Sequence, residues 1–213
     1  MDKKYFLKLA ILLGGNICAA FGVFLCISSG KGADPISVLL NGLMNTFPVS
    51  IGIAVIILHG ILMIICYIFD RKSIKLGTIL SIISFSISLD LFMSQLTTFA
   101  LLAHLSFPWF MLLFGILFMG IGFSLGIFAN IGCNTADIAL NILSSKTNFD
   151  IKKCKWILDA TYTIIGVILG GTIGLGTILC VLFVGTVYST TLKILEKNFK
   201  ILEQEQLILV NEN

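Results

Sequence analysis

Gly32-Ala33-Asp34-Pro35-Ile36-Ser37, followed by Asn41 and Asn45, interrupts a long apolar run early in the chain. One hundred residues later Gly132-Cys133-Asn134-Thr135-Ala136-Asp137, followed by Asn141 and Ser145, interrupts a second one. Asp34 suits a helix N-cap and Pro35 the first helical position, where a missing N–H costs nothing. Asn134 suits the N-cap of the second copy, with Asp137 three residues on as in a capping box. Each break therefore opens a short helix, Ile36 to Thr46 and Ala136 to Ser145. Ser37/Asn41/Asn45 and Asp137/Asn141/Ser145 recur every four residues, so each helix carries one polar stripe.

What surrounds the breaks is oily. The chain has 213 residues, 57% hydrophobic and 12% charged, with a mean hydropathy of +1.05. A soluble domain carries about 25% charged residues, so the composition excludes one. Apolar runs long enough to cross a bilayer, at about 20 residues each, cover Phe6–Ser28, Ile51–Phe69, Leu76–Leu96, Trp109–Phe128, Lys153–Gly170 and Thr177–Leu195. The first is too long for the apolar core of a signal peptide, typically about 7–15 residues, and is expected to be retained.

The two halves match. At a spacing of one hundred, Gly15, Gly22, Gly32, Leu40, Asn41 and Ile51 meet identical residues, and Leu76-Gly77-Thr78-Ile79-Leu80 meets Leu175-Gly176-Thr177-Ile178-Leu179 at ninety-nine. Such self-similarity marks a duplication. Residues 1–100 form the first three-span repeat, 101–195 the second, and 196–213 a charged cytoplasmic tail. Of the 14 Lys and Arg residues, all but Lys31 fall at one side if the N-terminus is inside, which the positive-inside rule requires. Three spans per repeat is an odd number, so the second repeat is inverted. The expected fold is an all-α polytopic membrane protein of six transmembrane helices in two inverted repeats. Each repeat carries a short polar-striped helix after its first span, and both termini lie in the cytoplasm.

The Gly-x-Asp-Pro-x-Ser break and Gly-Gly-Thr-Ile-Gly-Leu-Gly-Thr (Gly170 to Thr177) resemble the YczE/YyaS/YitT family of bacterial integral membrane proteins. A basic residue four before an acid, Lys155 and Asp159, adds to the likeness, although that family's pattern has Arg and Glu there. The resemblance runs from about Leu9 to Leu195. It is closer to the YczE branch, because the chain leaves no room for the extra cytoplasmic C-terminal domain common in the YitT branch. It implies a bacterial inner-membrane location and, as the usual reading, export or permease activity.

Inverted pairs of interrupted helices form substrate sites in secondary transporters, because a half-helix N-terminus presents unpaired N–H groups. On that reading Asp34, Ser37, Asn41, Asn134, Asp137 and Asn141 line a substrate site. An amphipathic helix lying in the membrane interface fits the stripes as well. Ionisable residues inside spans are costly and face a partner or a cavity. His59, Asp90 and Asp159 are therefore the coupling candidates: His59 and Asp159 are equivalent in the two repeats, Asp159 has Lys155 one turn away, and Asp90 has no basic neighbour on its own helix. The six scattered cysteines include no CxxC pair and no nearby histidine, so no metal site or cofactor is expected. Gly170–Gly176 lacks the Lys-Ser/Thr ending of a phosphate loop. With basic residues at span ends, no nucleic-acid partner is expected, and no catalytic constellation marks an enzyme. The expected partners are the lipid bilayer and an unidentified small molecule or ion, with a homo-oligomer left open. The alternative is a non-transporting accessory or regulatory protein acting through helix–helix contacts.

Overall fold

The computed structural model describes residues 3–95, 107–132, 134–147 and 149–211, with side chains described within 5–198 of these. The helices are α1 (Lys3–Ser28), α2 (Pro35–Thr46), α3 (Ile51–Phe69), α4 (Leu76–Ser94), α5 (Pro108–Phe128), α6 (Thr135–Thr147), α7 (Ile151–Ile168) and α8 (Leu175–Asn211), with a 3₁₀ turn at Arg71–Ser73. There is no strand among the described residues. Both breaks and both short helices fall where the sequence sets them, within about two residues. Cys133 lies outside the described residues.

Among the described residues, five helices are long and apolar enough to cross a membrane: α1 from Tyr5, α3, α4, α5, and α8 as far as Asn198. The expected sixth is α7. Its 18 residues include Lys152, Lys153, Lys155 and Asp159, all in its first half, so it falls short of the apolar length of the other five. α8 continues as helix through the charged tail as far as Asn211.

The bundle is built on α1. This helix packs along α5 and α4, and α5 in turn packs on α8. Glycines set the α1–α5 distance: a Cβ on Gly22 would lie 2.5 Å from Met119 N and 2.7 Å from Gly115 O, and one on Gly122 2.4 Å from Ala19 N. Helices in lipid associate through such close backbone approach, since lipid tails give no hydrophobic drive between them. Next to this seam Phe21 meets Phe92 and Phe118, each with ring centroids 5.2 Å apart. Facing outward are Ile61, Ile64 and Ile68 of α3 and Ile178 and Leu182 of α8, all exposed. Apolar surface on that scale suits hydrocarbon, not water.

Beyond the spans, Asp70 accepts from Ser73 Oγ and the Lys72 N–H and so organises the turn between α3 and α4. Those two bonds, the Ser73 hydroxyl first, hold its carboxyl below the usual carboxylate range. Asp90 has a capping position as well. Its two carboxylate oxygens accept from Ser50 Oγ at 2.8 Å and the Gly52 N–H at 2.7 Å, at the N-terminus of α3.

Candidate functional site

Each break begins where the first helix of its half ends. Ser29 N–H bonds to Leu25 O and Gly30 N–H to Ile27 O; Ala129 and Asn130 repeat the pattern onto Leu125 and Ile127. The turning residue is left-handed in both, Gly30 at φ 63° and Asn130 at φ 52°. Glycine and asparagine are the residues that tolerate this conformation.

Each break then packs on the Leu-Gly-Thr-Ile-Leu run of the other half. A Cβ on Gly32 would meet Thr177 Oγ1 at 2.7 Å and Gly174 N at 2.9 Å, and the Gly176 N–H bonds to Lys31 O at 2.7 Å. At the second break a Cβ on Gly132 would meet Thr78 N at 2.3 Å, and one on Gly77 would meet Ile131 O at 2.4 Å. The glycines of the two runs are therefore spent on backbone contact, which leaves them no part in a phosphate loop.

The short helices lie alongside helices of the opposite half. At the start of α6, Thr135 Oγ1 is 2.5 Å from Nδ1 of His59, the middle of α3. At its other end, Lys146 Nζ sits 5.9 Å from the Phe69 ring centroid, where α3 finishes. Similarly, α2 packs on α7: Leu39 and Val38 meet Gly166, Asn45 Nδ2 donates to Gly170 O at 2.7 Å, and Thr46 Oγ1 to Leu169 O at 3.0 Å. Asp34, the N-cap of α2, is within electrostatic reach of Lys155 and Asp159 in the lower half of α7.

The predicted residues divide accordingly. Asp34 accepts from Ser37 Oγ, which is buried, so those two form one unit. Asn134 Oδ1 accepts from the Ala136 N–H at 3.3 Å and starts α6. Asn41 is partly buried, whereas Asn141 is exposed, and Ser145 bonds its own helix at Ile142 O. His59 and Asp159 are both buried, at 4% and 6% exposure. Asp159 is paired with Lys155 at 2.5 Å. Lys155 acts on Asp137 only at longer range. Near Asp159 and Asp137 lies the buried hydroxyl of Tyr162, which has no hydrogen-bond partner among the described residues.

A cavity of about 20 Å³ opens beside the second break, lined among others by Asn16, His59, Ser81, Asn134 and Asp137. Asn16 is held by two hydrogen bonds, Nδ2 to Ser84 Oγ at 2.7 Å and Oδ1 from Ser81 Oγ at 3.0 Å. Sequence reasoning missed Asn16, Ser81, Ser84 and Tyr162, because uncharged polar residues inside an apolar run carry little weight singly, and it gave Thr135 of the second break no role of its own. A signal existed: at the repeat spacing Asn16 stands against Ile116, Ser81 against Cys180 and Ser84 against Phe183.

Apolar helices of membrane-spanning length, enclosing buried polar groups at the ends of two short helices, mark an integral membrane protein. The chain belongs to DUF6198, a family of unknown function, which it matches over residues 6–193. It is similar to the uncharacterized membrane protein YczE of Bacillus subtilis, at 25% identity over 88% of this chain and 86% of that protein. The uncharacterized protein YyaS of the same organism is 26% identical over 87% of this chain and 92% of its own length. An uncharacterized protein of Haemophilus influenzae is 26% identical over 89% and 85% respectively. The resemblance to YczE and YyaS thus extends over nearly the whole chain. No solved structure matches it.

Proposed function

We propose that the protein is a small permease or exporter of the bacterial inner membrane, built from two inverted repeats of three spans with both termini in the cytoplasm. The observation that carries this reading is the crosswise seating of the short helices: α6 starts at the middle of α3, and α2 runs along α7. An interfacial helix has no reason to follow a spanning helix of the other half from its middle to its end. A half-helix placed so presents unpaired N–H groups within the bundle, the arrangement in which discontinuous helices bind solutes. Paired contacts support the duplication. Gly15 with Gly122 has its counterpart in Gly115 with Gly22, and Gly32 with Gly176 in Gly132 with Gly77. In this reading α7 is the sixth span, its charges turned to Asp34 and Asp137. The glycine seam between α1 and α5 lets one half rock on the other. Asp34 and Asp137 sit at the two half-helix N-termini, each end equivalent to about half a positive charge. They offset it, so the site is not built for an anion.

Topology is tested on a cysteine-free chain carrying single cysteines. Lys31→Cys is expected to react with an impermeant maleimide on intact cells, and Lys72→Cys only after permeabilisation; the opposite pattern reverses the orientation.

Function is tested by flux into proteoliposomes with a panel of ions and small metabolites. The expected result is saturable uptake of at least one of them, reduced at least tenfold by Asp34→Asn in protein that still folds. Well-folded protein that moves nothing in the panel overturns the reading. It would favour instead an accessory protein acting through its helix faces, for which Asn41→Ala with Asn141→Ala leaves function intact.

A further inference from the structure

The cavity beside the second break narrows the class of solute. We propose that it binds one small monovalent cation, with the Asp137 carboxylate as the counter-charge and the side-chain oxygens of Asn16, Ser81 and Asn134 as neutral ligands. The proposal deepens the carrier reading by naming the species that its site takes.

Size is the first argument. About 20 Å³ is room for one water-sized particle, which suits a single small ion. Polarity is the second. Asn16 and Ser81 are each 8% exposed and His59 4%, and burying polar groups in an apolar bundle is costly unless each finds a partner. The bonds among Asn16, Ser81 and Ser84 fix the Asn16 carbonyl oxygen and leave it a second lone pair.

Charge is the third. Among the described residues the Asp137 carboxylate meets no hydrogen-bond donor and no cation in contact. Lys155 is in reach, but it is held by Asp159 at 2.5 Å. The α6 N-terminus, worth about half a positive charge, favours an ionised Asp137 without neutralising it. An uncompensated carboxylate inside a bundle needs a cation or a proton. Divalent cations are held by several carboxylates or keep much of their water; here one carboxylate stands among neutral oxygens. The described residues contain no group of three His, Cys, Asp or Glu side chains that could hold a metal ion.

Asymmetry is the fourth. At the first break Cys26 is within electrostatic reach of Asp34, and the counterparts of Asn16, Ser81 and Ser84 are Ile116, Cys180 and Phe183. The Asn16, Ser81 and Ser84 cluster is therefore peculiar to the second break and does not follow from duplication. Facing the region from the other elements are His59 of α3 and Lys155, Asp159 and Tyr162 of α7.

The test is thermal unfolding of the detergent-purified full chain in choline chloride, compared with lithium, sodium, potassium and ammonium chlorides at equal ionic strength. One of these cations is expected to raise the melting temperature saturably, by about 5–10 °C at a hundredfold excess over its dissociation constant. Asp137→Asn should abolish the shift while melting within about 2 °C of wild type in choline. Asn16→Ile, which copies the other half, should weaken binding at least tenfold, and Asp34→Asn should leave the shift in place. If Asp137→Asn does not fold, Asn16→Ile and Ser81→Cys decide the matter. No shift with any cation between about pH 5 and 8, or a shift that survives the Asp137 and Asn16 substitutions, overturns the proposal. So does stabilisation by acid alone, which would make the occupant a proton. A cation shift without flux would keep this site and sink the carrier. Flux of a neutral or anionic solute without a cation shift would do the reverse.

Discussion

A Gly22→Leu chain is expected to melt about 6–12 °C below wild type, or to leave the membrane fraction aggregated. The Cβ alone would stand 2.5 Å from Met119 N and 2.7 Å from both Gly115 O and Met119 Cγ. Two of those three atoms are backbone, so no rotamer change relieves the clash, and the added branches have nowhere to go. Overpacking a tight core costs about 1–3 kcal/mol, occasionally more, and a leucine driven into backbone belongs at the upper end. At about 2–4 °C per kcal/mol for a chain of this size, that gives the shift stated. The equivalent Gly122→Leu, with Ala19 N at 2.4 Å and Gly15 O at 2.6 Å, should behave alike. Gly14→Leu and Gly185→Leu are the controls, since nothing lies within 4 Å of a Cβ at either. Size-exclusion profiles and melting curves of the four variants check the point. If the two pairs behave alike, the glycines are not what holds α1 against α5.

That contrast also shows where sequence reading reaches and where it stops. Gly22 and Gly122 stood out as identical at the repeat spacing. Nothing in the sequence said that each faces the partner's other glycine, Gly115 and Gly15. The breaks were legible because helix starts are written locally: Asp34-Pro35 is a cap and a first turn whatever surrounds it. Lengths of spans were legible because the bilayer sets them. What the breaks rest on was not. The docking of Gly32 on Gly176 and of Gly132 on Gly77 joins residues far apart in sequence, and glycine leaves no hydropathy or charge pattern to mark a partner. Asn16 illustrates a different loss. One amide in an apolar helix has no periodicity, and only its comparison with Ile116 sets it apart. With α7 the sequence reading went further than the structure: it took Lys153–Gly170 for a span, whereas the charges of its first half keep this helix short of the apolar length of the other five. Two of those charges, Lys155 and Asp159, answer each other across one turn.

Asp90→Ala is expected to lower the melting temperature by about 4–8 °C, while Asp90→Asn loses roughly half as much and keeps solute flux near the wild-type rate. The carboxylate is engaged on both oxygens: Ser50 Oγ donates to one and the Gly52 N–H to the other. Ser50 is itself the N-cap of α3, its Oγ accepting from the Ile53 N–H at 3.3 Å. Asp90 thus orients the capping hydroxyl and directly satisfies another of the four N–H groups that a helix start leaves unpaired. Its negative charge also faces the positive end of the α3 dipole. A hydrogen bond to a charged group is worth about 1.5–3 kcal/mol; because Ser50 is exposed, we take about 2 kcal/mol for the pair, or about 4–8 °C. Asparagine keeps an acceptor for the Gly52 N–H but loses the charge and one strong acceptor, which gives the intermediate value. Gly52 supports the same account from the other side: a Cβ there would lie 2.5 Å from Asp90 Oδ2, so the carboxylate reaches α3 only because residue 52 has no side chain. An acid that couples flux to protons behaves differently. Its asparagine variant folds as well as wild type and loses the dependence of flux on the pH gradient. Melting curves and pH-jump flux on Asp90→Ala and Asp90→Asn therefore separate a helix-capping acid from a coupling one, and the geometry of Ser50 and Gly52 favours the cap.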